Sequence, residues 1–77
     1  MDTMEVLRDR FGLDLASVYG HDGIRGVECV LRAQLHQAAT KARALGHLCG
    51  GNEVELAHLA DLMAHLVLGL HVASGLE

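Results

Sequence analysis

Three side chains near the C-terminus have types and spacing that can do chemistry: His58, Asp61 and His65. On a helix of 3.6 residues per turn they project within about 60° of one another. Imidazole and carboxylate together suit zinc or another first-row transition metal. Spacing limits what they can hold. His58 and His65 stand about 10.5 Å apart along a helix axis, too far to share one ion. Asp61 and His65, four residues apart, can share one. They supply two ligands where a closed structural site needs four, so a metal site would need a symmetric second copy to complete it. No H-E-x-x-H motif accompanies them. The alternative is a polar stripe on an otherwise apolar helix, and that is the expectation here: no metal and no cofactor.

Other chemistry finds less support. Haem attachment through C-x-x-C-H is absent, and Gly50-Gly51 lies outside any G-x-x-x-x-G-K-[ST] phosphate loop. Cys29 and Cys49 have no elbow or Gly-rich surroundings to make a nucleophile. On one continuous helix they would be roughly 30 Å apart, whereas a disulfide needs Cα atoms within about 7 Å. They read as reduced, buried, small apolar residues of a cytoplasmic protein. An enzyme is not expected.

The formal charge is −4, and the isoelectric point is near 5.8. Arg25, Arg32, Lys41 and Arg43 are too sparse for a nucleic-acid surface, and Glu28 interrupts them. Protonating all six histidines would carry the formal charge from −4 to +2. The most apolar run, 56–73, contains His58, Asp61, His65 and His71, which argues against a membrane span. The start MDTMEVLRDR lacks the apolar stretch of a signal peptide.

The elements that would carry these residues are all helical. The 77-residue chain is one domain, 51% hydrophobic, without Pro or Trp and with one Phe, so its core must be aliphatic. Met4, Leu7 and Phe11 share one face of a short helix opened by Asp2 with Glu5 three residues on. Gly12 can end it, and Asp14 can cap a further single turn. Residues 2–19 are expected as an apolar flap, and 20–23 as a turn with Asp22 as the next cap.

A long helix is expected over about 23–49, with Ile24, Leu31, Ala38 and Leu45 recurring every seven residues beside Val27, Leu35, Ala42 and Cys49. Gly26 can permit a close backbone approach, and Gly46 can be the true end. Gly50-Gly51-Asn52 is the clearest punctuation, with Asn52 as N-cap and Glu55 three residues later. The last helix is expected over 53–73, with Leu56, Leu59, Met63, Leu66, Leu70 and Ala73 as its seam, widened by Ala60 and Val67. So short a turn forces the two helices antiparallel. The expected fold is therefore an all-α antiparallel helical hairpin (23–73) with a short N-terminal helix, and the expected core is Leu31, Leu35, Leu59, Met63, Leu66 and Leu70. The final Leu76-Glu77 reads as a cloning remnant with no part in the fold.

The last helix is apolar on more than one face. Leu62 flanks the seam, and Leu68 and Val72 project from the far side, so these three form the expected interaction surface. A chain this small buries only about 60% of its unfolded surface and commonly leans on a second copy. The expectation is a protein–protein interaction module of adaptor, co-chaperone or regulator type. It would be completed by a homodimer forming a four-helix bundle, or by a protein partner. In layout and length it is similar to the small helical-hairpin co-chaperones that guard needle subunits in bacterial secretion systems.

Overall fold

A computed structural model describes residues 2–47, 50 and 52–76. Among these the fold is all-α, with three helices in the order α1 (Thr3–Phe11), α2 (Leu15–Gly46) and α3 (Glu53–Gly75), and no strand. Cys49 and Gly51, expected in the long-helix stripe and the following turn, lie outside the described residues, as does Glu77.

The helix ends follow local chemistry, with changed partners. Asp2 stands extended before α1, but its side chain makes no cap. Its carbonyl instead accepts the Val6 N–H at 3.1 Å. Gly12 takes φ 70° and ends α1 in the left-handed conformation, and the Leu13 N–H closes back onto the Leu7 carbonyl at 2.9 Å. Asp14 caps α2 by accepting the Ser17 N–H at 3.3 Å. Asn52 was expected to cap α3 with its side chain. Its Nδ2 donates instead to the Leu45 carbonyl at 3.3 Å, satisfying an orphan acceptor at the end of α2.

The largest departure lies at 20–23. Asp14 opens a helix that continues through Gly20, His21 and Asp22, where a turn was expected. Only Gly23 leaves helical geometry, with φ 69° and ψ −163°. One glycine with positive φ suffices to redirect the chain, so the other three residues stay helical. The kink folds Asp22 over Gly26 so closely that a Cβ at Gly26 would collide with the Asp22 Cβ. Gly26 thus serves the close approach its sequence position suggested. At the far end α2 stops at Gly46, three residues before the expected 49, where the His47 N–H turns back to the Ala44 carbonyl at 3.3 Å.

Contacts between α2 and α3 run in reverse order. Lys41 meets Glu55 at 3.0 Å near one end, and Leu31 lies against Gly69 toward the other. Leu7 of α1 reaches the same Gly69, and both leucines come within 3.4 Å of where a Cβ there would stand. Leu7, Leu31 and Leu66 are wholly buried. Of the expected core, Leu31, Leu59 and Leu66 are buried, and Leu35, Met63 and Leu70 are half-buried. Val6, Leu7, Leu15, Val27, Ala38 and Ala73 complete it. The exposed Leu76 borders, with Met4, Leu15, Tyr19, Ile24 and Val27, an open apolar cleft of about 210 Å³. Cys29, expected buried, is exposed and free, because two residues turn a helix by about 200° and Leu31 holds the inner face.

Two predictions follow from this packing. Leu66→Ala should cost about 2–5 kcal/mol in denaturant melts, as large-to-small core changes do. Helix propensity alone would have Gly26→Ala and Gly46→Ala each stabilise by up to about 1 kcal/mol. Gly46 faces open space and should show that gain in thermal melts, whereas Gly26→Ala should destabilise.

Candidate functional site

His58, Asp61 and His65 do come together, around a residue that belongs to none of the metal-ligand spacings. The ring of Phe11, at the end of α1, lies against both imidazoles, with centroid separations of 5.3 Å to His58 and 5.8 Å to His65. The neighbouring Arg10 stands 5.2 Å from the Phe11 ring centre and forms an ion pair with Asp61. His65 Nδ1 donates to the Asp61 carbonyl at 2.8 Å. The same nitrogen lies 3.3 Å from the Asp61 carboxylate. Both groups proposed as a shared metal pair are thus engaged in holding α1 onto α3. Among the described residues no three His, Cys, Asp or Glu gather to hold a metal ion. The hint available in sequence was Phe11, the single Phe, on the apolar face of α1.

Elsewhere on α1, the exposed Arg8 and Asp9 pair at 2.8 Å. The hydrogen bond from Arg8 holds the Asp9 carboxyl below its usual range and raises the guanidinium in turn. Neither group touches α3 through any of these contacts.

The second candidate surface is what α1 leaves uncovered. Phe11 and Leu7 set α1 against the flank of α3 that carries His58, His65 and Gly69. Val67 is nine residues from His58, two and a half turns, and so points the opposite way. It is 53% exposed, Leu68 52%, Val72 41% and Val54 86%. Ala57, Ala60 and Ala64 are exposed between them. Of the expected surface residues, Leu68 and Val72 therefore face solvent. Leu62 is half-buried against the core, on the flank of His58 and His65. Val67 and Ala60, expected to widen the inner seam, lie on the outside instead. Without a lining layer on that side the molecule is elongated: its radius of gyration is 13.4 Å, against about 11.5 Å for a compact chain of this length.

By length and composition α3 is also apolar enough to cross a membrane, with a mean hydropathy of 1.5 over its most apolar window and 22% of that window buried. No family model matches the chain, and no characterised protein or solved structure does either.

If these groups serve to dock α1, zinc and chelator should give superimposable thermal melts, while Phe11→Ala should lower stability by about 1–3 kcal/mol. A zinc-dependent rise in Tm that disappears in the Asp61→Ala, His65→Ala double variant would restore the metal reading.

Proposed function

We propose that this protein is a small helical interaction module that works by binding another chain and not by catalysis. In this reading α2 and α3 form an antiparallel hairpin with α1 across one side, and the open side is closed by association. A homodimer would make a four-helix bundle. Docking on a different protein would make the chain an adaptor, co-chaperone or regulator. The observation that carries the proposal is the exposure of Val67, Leu68 and Val72 together on one helix. Exposed apolar side chains of this number on one helix support an interaction site. The acidic balance, net −4, favours a protein over nucleic acid as the partner. We place the protein in the cytoplasm, where the exposed Cys29 thiol stays reduced.

Sedimentation across a concentration series is the direct test. Self-association that is lost in Leu68→Lys and Val72→Lys, with helical circular dichroism retained, is the expected result. A monomer at high concentration, unchanged in mass and stability by Leu68→Lys, would remove the proposal.

A further inference from the structure

α3 carries a second heptad seam. Glu53, Ala57, Ala60, Ala64, Val67, His71 and Ser74 follow a 4-3-4-3-4-3 spacing, and every one is exposed. The first seam, through Leu59, Leu66 and Ala73, is buried inside the molecule. Side chains at such spacing form a continuous strip that a second helix can follow along its length.

We infer that the occupant of this strip is the α3 of a second copy, running antiparallel. The inference rests on the interaction-module reading and names its partner and register. Charge and bulk along the strip both select this arrangement. The acidic group of the strip sits at its N-terminal end, Glu53 in the first turn, while Glu55 faces α2 and pairs with Lys41. The only titratable group at the other end of the strip is His71. Bulk is distributed the same way, with alanines in the first half and Val67 and His71 in the second. A parallel pair would set Glu53 against Glu53 and His71 against His71, and would stack Val67 on Val67 beside gaps at the alanines.

Reversing one helix resolves both conflicts in a single register. Glu53 then faces His71 of the second copy, Ala57 faces Val67, and Ala60 faces Ala64. Alanines about the two-fold axis allow the helices to approach at the short end of the usual 8–10 Å range. On the flank, Val54, 86% exposed, comes beside Leu68 of the second copy, 52% exposed. Asp61 approaches its own counterpart near the axis, and each carries the charge of its Arg10, so the like carboxylates are neutralised before they meet. The interface is isologous, as two-fold symmetry requires.

Disulfide trapping between two single variants tests the register. Ala57→Cys and Val67→Cys are prepared separately in a Cys29→Ser, Cys49→Ser background, and each is checked for helical circular dichroism. On mixing and mild oxidation, Ala57→Cys should trap Val67→Cys as a covalent heterodimer, since facing residues bring their Cα atoms within disulfide reach. Neither should trap itself. Glu53→Lys should weaken the dimer about fivefold, because symmetry removes two exposed carboxylate–imidazole contacts of roughly 0.5 kcal/mol each, and Glu53→Lys with His71→Glu should recover it. Ala57→Cys trapping itself would overturn the inference in favour of a parallel pair. A dimer by sedimentation with no heterologous trapping would overturn the register while leaving the interaction-module reading intact. A monomer that partitions into phosphatidylcholine vesicles would overturn it in favour of a lipid surface.

Discussion

The missing side chain at Gly69 is the constraint on which the tertiary structure turns. Leu31 from α2 and Leu7 from α1 both press to within 3.4 Å of the point where a Cβ would begin. Three helices meet there because one of them presents only backbone. Leu7, Leu31 and Leu66, the three large side chains with no solvent exposure, include both of these contacts. A branched residue at 69 would separate α1 or α2 from α3, and the apolar face of α1 is too short to remain folded alone, since isolated helices below about 12 residues are marginal in water. A glycine in the middle of a helix costs about 1 kcal/mol in propensity. Here that cost is offset by two leucines brought into the core.

Much of this was legible in the chain because helical periodicity records burial directly. The stripes through Leu31 and through Leu59 and Leu66 identified the packed faces, and Gly12, Gly46 and Asn52 fell at helix boundaries. What escaped was information about partners, which lies outside periodicity. Nothing local says that Asn52 will bond the Leu45 carbonyl in place of its own helix, or that Arg10 will claim Asp61. The turn expected at 20–23 contracted to one residue because composition marks where a chain can bend, not how few residues the bend needs. His58, Asp61 and His65 were correctly grouped by spacing. Their packing against α1 was not legible, because Arg10 and Phe11 come from a helix some fifty residues earlier in the chain.

The face that remains open follows from the same geometry. One nine-residue helix is about 13.5 Å long and covers one flank of a 23-residue helix about two and a half times its length. An exposed apolar surface on the long helix is thus built into the order and sizes of the elements. The alanines of its first half against Val67 and His71 in its second, and the acidic start against the histidine end, give that surface a direction.

The break at Gly23 has a consequence for motion. Helical cooperativity propagates through consecutive i to i−4 hydrogen bonds, and a residue at φ 69° interrupts the series. Residues 2–22 are therefore energetically separable from the segment that follows, tied to it through side-chain packing and the Arg10–Asp61 pair in place of a continuous ladder. Such units open as blocks at lower free energy than the whole molecule. By this argument amide protons of residues 3–22 exchange faster than those of the α2 and α3 segments around Leu31 and Leu66. The Gly23 break thus gives the N-terminal segment the character of a clasp on the α2–α3 pair.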